Sequence, residues 1–230
     1  MHSFTDISLD LHELLKTVHH VRKMEKGSFL FQEGAPAEEL YIIKRGMLQL
    51  SKCIPDGREL TLRICSEGDL AGEANLFTPS AKYYLSAKVT ESGEVAVILK
   101  EHLEEQLSKD HDLAVEFMKW MSLQHLKTQT KFRDLVLHGK KGALYSILIR
   151  LLNSYGREVE DGIILDLPLT NQELANFCGT SREVVNRLLS DLRRAGILSV
   201  KKGIITIHEL NTLKTEIDCE NCSRDICCIE

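Results

Sequence analysis

Four cysteines, Cys219, Cys222, Cys227 and Cys228, fall within the last twelve residues of this 230-residue chain. Thiolates are the usual ligands of iron–sulfur clusters and of structural zinc, and a Cys-x-x-Cys pair such as Cys219 and Cys222 sets two of them on one turn. Cys227 and Cys228 are adjacent, and because successive side chains diverge, ligation of one centre by both is awkward. That disfavours an all-cysteine zinc site and favours a centre that borrows a ligand from elsewhere in the chain. An iron–sulfur cluster, zinc and a redox dithiol are the chemistries the tail allows; four cysteines so close together are too many for accident.

A second chemistry lies upstream, between Leu169 and Leu198. Thr170 with Glu173, and Thr180 with Glu183, stand in capping-box spacing and predict two short helices. Gly179 supplies the turn between them. In the second helix Val184, Val185, Leu188, Leu189 and Leu192 share one face, and Arg182, Glu183, Asn186, Arg187 and Ser190 the other. The apolar face fixes the helix to a body, and the polar face can read base edges in a major groove. Arg182 suits a guanine, Glu183 a cytosine amino group, and Arg187 a second guanine or a phosphate. Ile197–Val200 and Ile204–Ile207 flank Lys201-Lys202-Gly203 as a hairpin wing, and Ile163–Leu165 reads as a third strand. The expected unit is a winged helix-turn-helix for double-stranded DNA. Thr170, Thr180, Ser181, Lys201 and Lys202 complete the candidate DNA-contacting set with Arg182, Glu183, Asn186 and Arg187.

Charge supports that reading once it is divided along the chain. The net charge is −5, yet Thr180–Gly203 holds six basic residues against Glu183 and Asp191. Local field, not the total, governs phosphate binding. The segment from Glu209 onward is acidic, with six carboxylates against Lys214 and Arg224; left free, it has no reason to order and would repel DNA.

The elements that must position these groups follow from periodicity. Val21–Leu99 holds short β-rich runs: Ser28–Phe31, Leu40–Lys44, Met47–Cys53, Glu59–Cys65, Tyr83–Thr90 and Glu94–Leu99. Turns such as Pro55-Asp56-Gly57 separate them. They predict a rolled all-β unit, preceded by an irregular start and short helix up to about residue 20. A long helix follows from about Asp110 to His138. Ala114, Met118, Met121, His125, Thr128, Phe132 and Leu135 form a coiled-coil seam along it, while Leu113, Phe117, Trp120 and Leu123 lie off the seam, facing the β unit. The seam predicts a homodimer. Gly139–Gly142 reads as a hinge, followed by a helix over Ala143–Tyr155. The fold class is α+β, with a β-roll over 1–109, a dimer helix over 110–138, a winged helix over 139–208 and a cysteine tail over 209–230. Cys53, Cys65 and Cys178, isolated in apolar runs, read as small buried hydrophobes. No apolar run approaches membrane-spanning length and the start lacks a signal-peptide pattern, so a cytoplasmic protein is expected. No paired carboxylates, metal-ligand histidines or nucleophile elbow point to an enzyme; His19, His20 and His138 read as solvated.

β-roll, dimer helix and winged helix together resemble the Crp/Fnr family of bacterial transcription regulators over about residues 20–210. Two motifs carry the likeness. Gly68-Asp69 with Gly72-Glu73 and Leu76-Phe77 is similar to the family's phosphate-binding cassette, and Arg182-Glu183-Val184-Val185-Asn186-Arg187 to its recognition helix. The Arg-Glu-x-x-x-Arg pattern resembles the Crp version, which implies palindromic TGTGA-like half-sites and RNA polymerase as a partner. The cassette lacks the Arg-Ser pair with which cyclic-AMP-binding members hold the cyclic phosphate, and Lys82 is only a point donor. No bound cyclic nucleotide is expected, and a cyclic-nucleotide or small-molecule sensor is the competing reading. The tail resembles that of the Fnr branch in Gram-positive bacilli. That likeness implies a [4Fe–4S] cluster on three C-terminal cysteines, Cys219, Cys222 and Cys227, with Asp134 of the dimer helix as fourth ligand. It also implies an oxygen-responsive regulator of anaerobic genes.

Overall fold

The computed structural model describes residues 18–201 and 203–229; Lys202 and most of the helix expected near the start lie outside the described residues. The chain divides into two compact units. The first comprises the described residues up to Ile54 and Leu62–Ser122, the second Pro55–Thr61 and Leu123–Ile229.

The first unit is built on strands β1 (His20–Met24), β2 (Phe29–Phe31), β3 (Glu39–Cys53), β4 (Glu59–Cys65), β5 (Leu70–Ala71) and β6 (Ser86–Leu99). They form one sheet in the order β1-β6-β3-β4, with β2 added to β6 and β5 to β3. β3 and β6 are each one long strand where the sequence predicts two runs, Leu40–Lys44 with Met47–Cys53 and Tyr83–Thr90 with Glu94–Leu99; Gly46 and Gly93 lie in the gaps. The chain passes those glycines as bulges: pairing slips between Ile43 and Leu48 but continues. A Cβ at Gly93 would stand 1.9 Å from the Arg45 carbonyl, so the crossing needs glycine. β1 and β5 went unread in the sequence; β5 is only two residues long.

Alternation along β3 and β6 sorts side chains onto two faces, and both are covered. Tyr41, Ile43, Val95 and Val97 join Phe31, Leu48, Leu50, Tyr83 and Val89 inside the roll. Leu40, Ile42, Ala96 and Ile98 face the other way, against α1 (Lys100–Lys109) and α2 (His111–Leu137), where they meet Leu103, Leu107, Phe117 and Trp120. Cys65 is sealed in the roll and burial pushes its thiol up to about 12. Cys53 is exposed instead, because it ends β3 just before the Pro55–Gly57 turn.

α2 runs 27 residues, about 40 Å at helical rise. Ala114 and Met121 of the expected seam pack into the cluster on the outer face of the sheet, whereas Met118, His125, Thr128 and Phe132 are exposed, joined by Val136 and Leu137. The exposed stripe is thus shifted toward the end of the helix. α2 stops at Leu137 and α3 (Gly139–Tyr155) starts two residues later. The expected hinge narrows to His138 and Gly139, where φ is +60°. α3 is buried along Gly142–Leu152.

The second unit continues with β7 (Gly156–Val159), β8 (Gly162–Leu165), α4 (Asn171–Phe177), α5 (Arg182–Arg194), β9 (Leu198–Lys201), β10 (Ile204–Ile207) and α6 (Leu210–Glu216). The winged sheet has four strands in the order β7-β8-β10-β9, one more than the sequence showed. The tail is not free: it forms α6 and then packs back, burying Leu213, Ile217 and Ile229.

Lys131 of α2 is buried in this unit. Its ammonium donates to the Thr61 carbonyl at 3.3 Å and lies 5.3 Å from the centre of the Phe177 ring. Burial first, then repulsion from Arg150, push its pKa down to about 7 from an ordinary 10.5. Between those values the unfolded chain binds the extra proton, so stability rises with pH across that window. Thermal melts from pH 6.5 to 9 should show the rise in the wild type and lose it in Lys131→Met, which should melt about 2–4 °C higher at pH 6.5. Parallel profiles for the two proteins would count against a buried, proton-poor Lys131.

Candidate functional site

α4 opens on a complete capping box: the Thr170 side chain accepts from the Glu173 amide at 3.2 Å and the Glu173 carboxylate accepts from the Thr170 amide at 2.7 Å. It closes at Gly179, φ +58°, with the Thr180 amide reaching back to the Ala175 carbonyl at 3.0 Å. This six-to-one bond is a Schellman closure. It uses Thr180 to end α4, so Thr180 does not open α5 as expected. Ser181, extended at φ −89° and ψ 155°, is the N-cap of α5, and the second capping box is absent. The Thr180 hydroxyl is buried without a hydrogen-bond partner.

α5 buries Val185, Leu189 and Leu192 against α4 and the winged sheet, and exposes Arg182, Glu183, Asn186 and Arg187 on one side. Acidic Glu183 sits in the first turn and Arg193 with Arg194 in the last, the order the helix dipole favours. Thr170, Ser181 and Lys201 are also exposed. The Asn186 side-chain oxygen accepts from Asn171 across the two helices, so a base contact by Asn186 must displace that bond. His208 pins the sheet beneath the wing: its ring nitrogens lie 2.6 Å from the Asp161 carbonyl and 2.9 Å from the Ser199 hydroxyl.

The cysteine tail meets the α2–α3 junction. One cavity of about 10 Å³ is lined by Asp134, Cys219, Cys222 and Cys227 together with Arg133, Ser146, Arg150, Ile149, Ile217 and Glu220. Cys228 is not among its lining residues, and its thiol points to the Asp225 carbonyl at 3.4 Å. Asp218 and Asn221, φ +45° and +52°, bend the chain around Cys219, a backbone shape that Asp and Asn tolerate. The Asn153 amide donates to the Cys227 carbonyl at 2.6 Å, and the Ile229 amide to Ser154 at 3.1 Å. Burial raises the Cys227 thiol pKa; Arg150 opposes that shift, and Cys219, Cys222 and Asp134 add to it. Four potential donors therefore share one small space, at a size that admits about one water.

Asp134 is the best-held group there. Oδ2 accepts from the Ser146 hydroxyl at 2.7 Å and from Arg150 at 3.0 Å, and Oδ1 accepts twice from Arg133, at 3.0 and 2.9 Å. Burial alone would raise its pKa; these hydrogen bonds outweigh it and hold the carboxyl below its ordinary value. Arg133 also pairs with Glu220 of the tail. In kind, three thiols and a carboxylate make a donor set that suits a metal centre, and Asp134 would have to give up one of its four hydrogen bonds to join it. The donors are gathered rather than locked: among the described residues no three His, Cys, Asp or Glu groups form a ready-made cage.

In the first unit the expected cassette is closed on itself. Glu73 accepts from Arg63 at 2.8 Å, with both side chains 12% exposed, and Arg63 also donates to the Leu70 carbonyl at 2.6 Å. Lys82 is exposed and lines an open surface cavity with Glu38, Phe77, Lys100 and Glu104.

Comparison with known proteins agrees with this architecture. Residues 21–110 match the cyclic nucleotide-binding domain and residues 143–216 the Crp-like helix-turn-helix domain. Over 225 residues the chain is 54% identical to the anaerobic regulatory protein of Bacillus subtilis, spanning 97% of this chain and 94% of that protein. The chain belongs to the Crp/Fnr family of transcription regulators. Another Crp/Fnr relative, the global nitrogen regulator of Nostoc sp., is 29% identical over 198 residues, 85% of this chain and 88% of that protein. A Crp-family regulator from Thermus thermophilus has the same fold, with a TM-score of 0.70 at 22% identity over 86% of this chain and 96% of that one. No helix among the described residues is long and apolar enough to cross a membrane.

The sequence missed Arg63, Arg133, Ser146 and Arg150 as groups that set up sites in this Crp/Fnr chain. Arg150 had a signal: it interrupts the apolar run Ile147–Leu152, and a charge there demands a buried partner. Removing that partner should be costly. Asp134→Ala is expected to lower the unfolding free energy by about 3–5 kcal/mol, measured by denaturant titration. A loss below about 1 kcal/mol would mean that the pair is solvated.

Proposed function

We propose that this chain is a homodimeric, oxygen-responsive regulator of anaerobic genes, gated by a [4Fe–4S] cluster on Cys219, Cys222, Cys227 and Asp134. The observation that carries the reading is the single cavity shared by those four residues and not by Cys228. A relative that matches nearly the whole chain and is described as an anaerobic regulatory protein supports it. When bound, such a cluster supplies an oxygen-labile redox centre.

The chain's own residues do the rest. The cysteines bind from the tail and Asp134 from α2, as an oxygen donor whose poor match to soft iron–sulfide favours lability. Arg133 and Arg150 offset the charge. Tail, α2 and α3 are then tied together, and α3 leads into the winged helix, so the orientation of α5 follows the state of the tail. When the tie is lost, orientation becomes a population, and DNA affinity falls by the fraction no longer competent.

On DNA, Arg182, Glu183 and Arg187 read TGTGA-like half-sites about one helical turn apart. Asn186, Thr170, Thr180, Ser181, Lys201 and Lys202 complete the proposed contact set, a contact by Thr180 requiring its buried hydroxyl to be uncovered. The exposed stripe Met118, His125, Thr128, Phe132 and Val136 pairs with a second copy. The roll serves as scaffold, since Arg63 already holds the cassette's Glu73, and no cyclic nucleotide is required. The protein works in the cytoplasm, acts on RNA polymerase at its promoters and catalyses no reaction.

Protein purified without oxygen should be brown, with iron and sulfide in stoichiometric amounts. Cys219→Ala, Cys222→Ala and Cys227→Ala should each lose the colour and Cys228→Ala keep it. Zinc in place of iron in protein from strictly anaerobic cells would remove oxygen sensing and leave a structural tail. Phe132→Glu, at a position 66% exposed, should yield monomers in sedimentation and weaken operator binding by about tenfold or more. A dimer that persists would assign the interface elsewhere.

A further inference from the structure

Arg150 is 1% exposed, the largest side chain among those fully buried. Every nitrogen of its guanidinium is used. Nη2 donates to Asp134 at 3.0 Å and to the Thr130 hydroxyl at 3.1 Å, Nε to the Ser146 hydroxyl at 3.3 Å, and Nη1 to the Ile226 carbonyl at 3.3 Å. The Ser146 hydroxyl in turn donates to the same oxygen of Asp134. One rigid fork therefore touches α2, α3 and the tail together. Asn153 and Ser154, on the next turn of α3, hold the Cys227 carbonyl and the Ile229 amide, but neither reaches Asp134.

We propose that Arg150 is the positioning residue of the tail site, fixing the Asp134 carboxylate against the Ile226–Cys227 backbone so that a donor from α2 and a donor from the tail face one cavity. The proposal rests on the reading of that cavity as a metal centre. Lysine could not substitute fully, because an ammonium is a point donor and cannot span acceptors on three segments. The buried positive charge also acts on the centre itself: a cation beside a cluster favours its reduced form.

The test uses the full chain as wild type, Arg150→Lys and Arg150→Gln, purified without oxygen. Iron, sulfide and reduction potential are measured on each, and hydrogen exchange at Ile226–Ile229 is followed after chelation of the iron. Both variants should exchange those amides about tenfold faster than wild type, with amides of α4 and α5 unchanged, and should retain several-fold less iron. The residual cluster of Arg150→Gln should have a lower potential than wild type, and that of Arg150→Lys the wild-type potential, a split that loss of packing alone would not produce. Where Arg150→Gln fails to fold, Arg150→Lys decides on exchange and iron content. Wild-type exchange and wild-type iron in Arg150→Lys overturn the proposal. A wild type that takes up no iron, beside variants that still loosen the tail, overturns the metal reading and leaves the hold of Arg150 on the tail standing.

Discussion

The buried contact between Asp134 and Arg150 is the constraint on which the second unit depends. The two side chains are 6% and 2% exposed, and neither charge could stay there alone, because desolvating an isolated ion costs several kcal/mol. The cost is offset only by a full set of partners, and those partners come from α2, α3 and the tail at once. A pair of this kind contributes little net stability against apolar residues of the same volume. What it adds is a set of directional contacts that join α2, α3 and the tail.

The same logic recurs in the roll with another outcome. Arg63 and Glu73 neutralise each other at the cassette, and the Tyr41 and Tyr83 hydroxyls close on Glu39, one on its carboxylate and one on its carbonyl. Phe31, Tyr41 and Tyr83 stack beside them, with ring centres 4.0 to 5.6 Å apart. These interior polar groups are matched to each other, though Arg63 Nε and Asn75 Oδ1 are buried without a partner, and α1 and the first half of α2 pack against the sheet. The winged helix is matched outward instead. α5 keeps its apolar stripe on α4 and sheet, and leaves arginines and Glu183 in water, where a duplex could replace the solvent. A chain of net charge −5 can do this because phosphates respond to charge within about 10 Å.

The sequence by itself determined the elements whose signal is local. The Thr170–Glu173 box, the Gly179 turn, the amphipathic α5 and the β4 and β10 runs depend on neighbours a few residues apart, and periodicity reads such spacing directly. The family signatures were local too. The likeness that points to Cys219, Cys222, Cys227 and Asp134 rests on the cysteine spacing of the tail and the place of Asp134 near the end of the long helix.

Only the tertiary structure decided the rest. The breaks expected around Gly46 and Gly93 became bulges because a paired strand across the sheet kept both chains extended. Thr180 lost its expected cap to the closure of the preceding helix. Met121 left the exposed stripe because the outer face of the sheet offered it an apolar cluster. The acidic tail ordered because Leu213, Ile217 and Ile229 found apolar cover, which charge counting along the tail could not reveal. Ser146 and Arg150 entered the site through contacts 12 to 76 residues apart in the chain, and Arg133 through its neighbour Asp134 and Glu220 of the tail. No sequence window spans such distances, so a buried charge in an apolar run announces that it needs a partner, and only the packed fold says which one.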